Sequence, residues 1–170
     1  MSGPLAAVIA FSAALAVQRV FELRISQRHA QALRARGAVE YGRRHFPMFV
    51  ILHTLLPLGM ILEVAQLGAR PGVLWPVWAA VFVLAQALRY SAIRALGTFW
   101  NVRVLVVPGA ALVRTGPYRW LKHPNYVAVV IELVAAPMIF GAWRTAIAIT
   151  LLNALALSVR IRCEERALAR

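Results

Sequence analysis

Five apolar runs, each close to the length that carries a helix across a bilayer, decide what this chain can fold into. They cover about residues 4–22, 46–66, 73–90, 125–140 and 142–159. A helix rises about 1.5 Å per residue and the hydrocarbon core is about 30 Å thick, so roughly 20 residues span it. The first run is short by this measure, and the last two cross only with tilt or local thinning. With 61% hydrophobic residues and a mean hydropathy of +0.69, the chain is too apolar for a soluble domain. At 170 residues it is also too short for more than one compact unit. The expected fold is an all-α integral membrane protein with about five transmembrane helices, the last two a helical hairpin broken at Gly141. It forms one membrane domain, residues 1–170, with a three-helix part at 1–95 and a catalytic and cofactor-binding half at 96–170.

Basic residues test this division. Lys and Arg number 7 in residues 19–44, 1 in 68–72, 6 in 89–122, 1 after Gly141 (Arg144) and 4 beyond residue 159. Under the positive-inside rule this alternation places the N-terminus outside and the C-terminus in the cytoplasm. It also explains the net charge of +13 without nucleic acid, since a soluble basic binder has no need of bilayer-length apolar runs. The single cysteine, Cys163, permits neither an intrachain disulfide nor a zinc cluster, and no metal is expected. Asp is absent and no Gly-x-Gly-x-x-Gly follows a strand-like run, which argues against a Rossmann-type domain. Residues 4–17 lack a basic flank and a small-residue cleavage pattern, so they read as a retained first span.

Between the apolar regions stands a dense polar and aromatic island, Gly116-Pro-Tyr-Arg-Trp-Leu-Lys-His-Pro-Asn-Tyr126. Gly116-Pro117 signals a turn. Pro124 disfavours helix at His123 but suits the first turn of a following helix, so the island is a loop ending at a helix N-terminus. Free N–H groups and the dipole there suit a carboxylate or phosphate. Tyr118, Trp120 and Tyr126 offer faces to a base or a cation. A ligand with a heteroaromatic ring, a carboxylate and a cation would use all of these, and S-adenosylmethionine carries all three. An interfacial loop with belt aromatics and lipid-facing basic residues fits the same residues.

The tail, Arg160-Ile-Arg-Cys-Glu-Glu-Arg-Ala-Leu168, continues the last span in helix-favouring residues. Arg160 and Glu164 are four apart and share a face, an arrangement that also suits a plain intrahelical ion pair. The topology brings this tail to the same membrane face as the island.

The order Leu112-Val-Arg-Thr-Gly-Pro-Tyr118, Lys122-His-Pro-Asn-Tyr126, an apolar hairpin, then Glu164-Glu-Arg-Ala-Leu168 resembles the isoprenylcysteine carboxyl methyltransferase family over residues 97–168. The N-terminal half, with Gly37-Ala-Val-Glu-Tyr-Gly-Arg-Arg-His-Phe-Pro47 and His53-Thr54, resembles the small bacterial branch whose members often accompany type III polyketide synthases. The resemblance implies a helical membrane core in the bacterial inner membrane with an active site facing the cytoplasm. It implies S-adenosylmethionine as cofactor, held by Tyr118, His123, Pro124, Asn125, Tyr126 and Glu164, with Leu112 and Val113 leading into the pocket and Arg103 near another contact. Arg160 matches a substrate-side arginine and is the candidate catalytic residue. Lys122 stands where the family usually has Arg, turning a bidentate fork into a point charge.

The expected reaction is methyl transfer to a carboxylate or hydroxyl head of a lipophilic or prenylated substrate. A carboxylate needs no base, whereas a phenol, with an ordinary pKa near ~10, needs its anion favoured by a cation such as Arg160. Glu132, seven after Asn125, is a candidate for the substrate side of the pocket. Glu63 and His53 in the second span suit either a cavity or helix-to-helix hydrogen bonds, and Asn153 suits interhelical bonding. Glu40, Tyr41, Arg44 and His45 precede the second span and suit either head-group closure or lipid anchoring. A small channel, carrier or assembly subunit would also carry membrane-buried ionisable residues, although no internal repeat supports a transporter. A lipid-binding relative without catalysis is the other rival.

Overall fold

The computed structural model describes residues 3–169; Arg170, the last of the four basic tail residues, lies outside the described residues. The order is α1 (Gly3–Ala35), β1 (Val39–Tyr41), α2 (Phe46–Gln66), α3 (Trp75–Leu96), β2 (Val104–Val106), α4 (Pro124–Ile139) and α5 (Trp143–Leu168), with 3-10 turns at Arg43–His45, Gly97–Phe99 and Gly116–Arg119. Helices α1, α2, α3 and α5 are long and apolar enough to cross a membrane, and α4 at 16 residues is shorter. The protein is a helical integral membrane protein, and α4 with α5 forms the expected hairpin.

Helices α1, α3 and α5 outrun the expected spans, while α2 keeps the expected bounds and α4 is shifted by one residue. No Gly or Pro interrupts residues 5–36, so α1 continues for 33 residues, roughly 50 Å, until Gly37 adopts a positive φ of 81°. Its far end is tied down by residues 100–102: the His29 ring bonds the Trp100 carbonyl at 2.8 Å, and Val102 N–H donates to Ser26 Oγ at 3.1 Å. Helix α3 likewise runs on to Leu96 before Gly97 turns the chain.

One feature lies outside the all-α expectation. The strands β1 and β2 pair antiparallel, with Val39 opposite Val106 and Tyr41 opposite Val104. Three residues per strand are too few for an alternating pattern to stand out in sequence. The pairing straps the α1–α2 connection to the chain leaving α3, and Glu40 ties it further by accepting from Arg103 at 2.6 Å and Arg34 at 2.8 Å.

Packing is closest between α3 and α4, where small side chains flank a buried ion pair. Ala85 and Ala92 lie four before and three after Arg89; Ala128 and Ala136 lie four either side of Glu132. All four alanines are buried, and such side chains let helix backbones approach. The apolar core joins Val8 and Leu15 of α1, Leu52, Leu56 and Met60 of α2, Leu133 of α4 and Ile149 of α5.

The 68–72 and 140–142 turns touch. A Cβ on Gly141, which has φ of 71°, would come within 2.1 Å of the Arg70 carbonyl oxygen. Beside them Glu63 caps α5, accepting from Arg144 N at 3.1 Å and from Thr145 N and Oγ1 at 2.8 Å each. Of the two readings of Glu63, the helix-to-helix bond is the one formed. Asn153 is fully buried, yet among the described residues its amide atoms have no hydrogen-bond partner, so the interhelical bonding expected of it is not formed there.

Candidate active site

The island and the tail meet at the opposite end of the bundle from that turn contact. His123, before Pro124, takes a non-helical φ of −132° and ψ of 62°, and α4 begins at Pro124. This presents the His123 and Tyr126 rings side by side, stacked at 5.3 Å with planes 20° apart. From α5, Glu164 accepts a short hydrogen bond from the Tyr126 hydroxyl. Arg160 Nε donates to that same hydroxyl oxygen at 2.8 Å, and Arg160 Nη2 donates to the Val102 carbonyl at 2.6 Å.

Arg160 and Glu164 therefore do not form a simple pair along one helix; a phenol from another helix joins them. The Arg160 guanidinium also stands 5.0 Å over the Phe49 ring and 5.7 Å over Tyr126. These contacts fix its plane and leave it at the polar end of an internal cavity.

Glu165, turned away from Glu164 on the helix, takes Lys122 Nζ at 2.6 Å and lies 3.4 Å from His123 Nε2. The island and tail are thus joined by three side chains from each: Lys122, His123 and Tyr126 from one, Arg160, Glu164 and Glu165 from the other. Lys122 acts here as the point charge its chemistry allows.

Tyr118 is half-buried in the turn before α4. Burial, and then the negative charge of Glu164, push its phenol well above the ordinary value.

Pro124 is buried at the start of α4, and Asn125 lines the cavity with its side-chain oxygen unbonded. Leu112 lies exposed and Val113 half-buried between β2 and the turn, and neither lines the cavity. Arg103 belongs with Glu40 and the Phe46 ring, 4.8 Å from its guanidinium, and shares only a small cleft with Arg160.

The cavity encloses about 380 Å³ and runs from Arg160, Tyr126 and Trp100 inward to Phe82, Leu56 and Ala136. Val20 of α1 and Val50 and Thr54 of α2 line it and are also exposed, so its mouth opens sideways between α1 and α2. His53 lines it too, donating from Nδ1 to the Phe49 carbonyl at 2.8 Å and leaving Nε2 as the acceptor.

Glu132 faces this cavity with both oxygens taken. Arg89 Nε reaches Oε1 at 2.6 Å, while Arg89 Nη2 and Arg19 Nη2, at 2.5 and 2.7 Å, share Oε2. Glu22 accepts from Arg19 at 2.6 Å and completes a neutral set of four charges.

Sequence reading passed over Arg19, Glu22 and Arg89 because it counted them as loop or span-end charges. Two opposite charges three apart, Arg19 and Glu22, in a run without helix breakers were the available signal. It also passed over Trp100, which is 3% exposed and whose Nε1 has no partner among the described residues although the residue lines the cavity. A lone Trp beside Phe99 gave no such sign.

The arrangement can hold a cation against Glu164 and the His123–Tyr126 ring stack, beside an apolar chamber open to lipid. Among the described residues no group of three or more His, Cys, Asp or Glu could hold a metal.

Fold and site define a helical membrane protein with a polar and aromatic cluster at one end of the bundle beside an apolar cavity. The isoprenylcysteine carboxyl methyltransferase (ICMT) family model matches residues 78–170. The chain belongs to this family, and membership points to a membrane methyltransferase. It is similar to the uncharacterized protein YpbQ of Bacillus subtilis (strain 168), 41% identical over 156 residues, covering 92% of this chain and 93% of that protein. It is also similar to an uncharacterized protein of Haemophilus influenzae, 30% identical over 162 residues, covering 95% and 94%. Both similarities include the N-terminal helices that the family match leaves out.

Proposed function

We propose that this protein is an S-adenosylmethionine-dependent O-methyltransferase. Its acceptor is the carboxylate or hydroxyl head of a lipophilic molecule, of the isoprenylcysteine or long-chain alkylpyrone and alkylresorcinol kind, at the cytoplasmic face of the bacterial inner membrane. The observation that carries this reading is the Tyr126 hydroxyl held between Arg160 and Glu164, which joins the island to the tail beside the cavity.

The residues suit the cofactor. Glu164 faces the stacked His123 and Tyr126 rings, so a sulfonium or ammonium finds a carboxylate and aromatic faces together. Tyr118, Pro124 and Asn125 complete the wall, with Leu112, Val113 and Arg103 at its approach. When bound, the cofactor supplies an electrophilic methyl group. The protein's task is alignment of donor and acceptor at about 3 Å and exclusion of water.

Arg160 orients the acceptor. Its guanidinium attracts a carboxylate directly and favours the anion of a phenol or hydroxypyrone. Trp100 Nε1 is a buried donor in want of an acceptor oxygen, and the Asn125 oxygen is an acceptor in want of a donor. A polar head entering the cavity answers both. Glu132, its charge held by Arg89 and Arg19, borders the path of the acceptor. The hydrophobic tail lies along the mouth between α1 and α2.

The five-span topology with an outside N-terminus agrees with this arrangement. The weakly basic turns at residues 68–72 and 140–142 gather at one end, and the strap, island and tail at the other. Helix α4, enclosed by its neighbours, crosses within the bundle. Residues 96–170 carry the transfer, and residues 1–95 supply the entrance.

Tritiated methyl donor mixed with membranes holding the protein tests the reading. Label is expected in an organic extract, and its absence from Arg160→Gln membranes. A wild-type protein that binds the donor yet labels no lipid from its own host would overturn it.

A further inference from the structure

Helix α5 presents two faces at its end. From the 3.6-residue repeat, Arg160 and Glu164 lie on one, and Val159, Arg162, Cys163 and Arg166 on another. The second face continues upstream through Leu152 and Leu155, three and four residues apart, both exposed. An exposed apolar stripe thus runs straight into two arginines.

Those arginines border a pocket of about 410 Å³ lined by Tyr41, His45, Val159, Arg162, Cys163, Arg166 and Ala167. Tyr41 comes from the β1 strap and His45 from the turn after it. Side chains alternate along a strand, so Glu40 next door points the other way, to Arg103 and Arg34.

The chain has only six acidic side chains, and every one is engaged elsewhere. Glu22 and Glu132 serve Arg19 and Arg89; Glu40 serves Arg103 and Arg34; Glu63 caps α5. Glu164 takes Tyr126, and Glu165 takes Lys122 and His123. Among the described residues no ion pair reaches Arg162 or Arg166.

We propose that this pocket binds the phosphate of an anionic phospholipid, with Arg162 and Arg166 on the phosphate, Tyr41 and His45 on its remaining oxygens, and an acyl chain along Val159, Leu155 and Leu152. Among the described residues no acidic side chain lines this pocket, which gives a choline or ethanolamine head no side-chain partner, so the site selects a lipid with net negative charge. It lies on a different face of α5 from the Arg160–Tyr126–Glu164 cluster and does not depend on the methyl-transfer reading.

Protein purified in nanodiscs, of phosphatidylcholine alone or with phosphatidylglycerol, tests this by native mass spectrometry. One retained phosphatidylglycerol per chain is expected. Each arginine near an anionic surface is worth about fivefold, so Arg162→Gln/Arg166→Gln together should lower retention by about 25-fold. An Arg24→Gln/Arg28→Gln protein, with the same change in charge on the exposed side of α1, should retain the lipid.

Cys163, the sole cysteine, reads the same pocket. Its labelling by a neutral maleimide should slow when phosphatidylglycerol is added to the discs, and the slowing should vanish in the Arg162/Arg166 variant. Equal retention of phosphatidylglycerol and phosphatidylcholine by the wild type would overturn the proposal. So would protection of Cys163 by millimolar inorganic phosphate in phosphatidylcholine discs, or loss of the lipid from the α1 control.

Discussion

Two polar clusters lie within one small bundle and handle charge in opposite ways. Deep in the helices, Arg19, Glu22, Arg89 and Glu132 close on one another: two positive and two negative groups, with Arg89, Glu22 and Glu132 each under 5% exposed. At the bundle end, Arg160, Tyr126, Glu164, His123, Lys122 and Glu165 form an open chain in which a shared hydroxyl and an exposed lysine hold the acids. The closed set has no bond to spare, whereas the open one can exchange a phenol or a lysine for a ligand. Ionisable residues buried in a membrane protein therefore do not by themselves locate its chemistry; what matters is whether their partners are already complete.

The largest effect should come from breaking the closed set. Glu132→Ala leaves one carboxylate for the buried Arg89 and the half-buried Arg19, at a cost of about 3–5 kcal/mol, so little folded protein should accumulate and thermal melts in detergent should shift steeply downward. Replacing the pair together, as Arg89→Met/Glu132→Leu, should recover most of the stability, because no lone charge then remains from it. A Glu132→Ala protein that melts like the wild type would show that water reaches the cluster and that the contrast between the two sites is false.

The open set should respond through binding rather than folding. Glu164→Ala removes a carboxylate whose loss from a charged hydrogen bond is worth about 1.5–3 kcal/mol, a drop in S-adenosylmethionine affinity of roughly 10- to 100-fold by calorimetry. Its melting point should stay within a few degrees of wild type, since Tyr126 keeps Arg160 as a partner. Unchanged affinity would remove Glu164 from the cofactor site; collapse of the fold would make it another member of the closed kind.

The same contrast explains what the sequence disclosed. The helices, the hairpin, the loop that ends at Pro124 and the meeting of island with tail were legible, because apolar length, Gly and Pro placement and the alternation of basic residues each act locally. Arg19, Glu22 and Arg89 were not, because the run without helix breakers extends α1 past Glu22 but nothing local says that Arg19 and Glu22 face α3 and α4 or that Arg89 turns toward α4. Such ion sets exist only once helices pack. The strap was hidden for the same reason: Val39-Glu-Tyr41 becomes a strand only because Val104-Leu-Val106 is brought alongside. Leu112 and Val113, which the resemblance gave as the segment leading into the pocket, lie between β2 and the turn before α4 and do not line the cavity.

Glu40 lies between the two extremes and gives the smallest effect. It sits outside the helices and holds Arg103 and Arg34 across the strap. Burial alone would raise its carboxyl, but hydrogen bonds from Arg103 and Arg34, with their charges, outweigh this and hold it below its usual 4.5. A depressed folded-state value means the contribution is present above the unfolded value and is lost as pH falls through the folded one. Glu40→Gln should therefore melt lower than wild type at pH 7, and the gap should narrow below about pH 4.5. Two arginines shared by one acid at a partly hydrated surface place the pH 7 gap at about 1 kcal/mol or less. Melts of the two proteins across pH 3–7 measure it; a gap that widened with acid would mean that Glu40 is protonated in the folded strap and that its arginines, like Arg162 and Arg166, look outward for their anion.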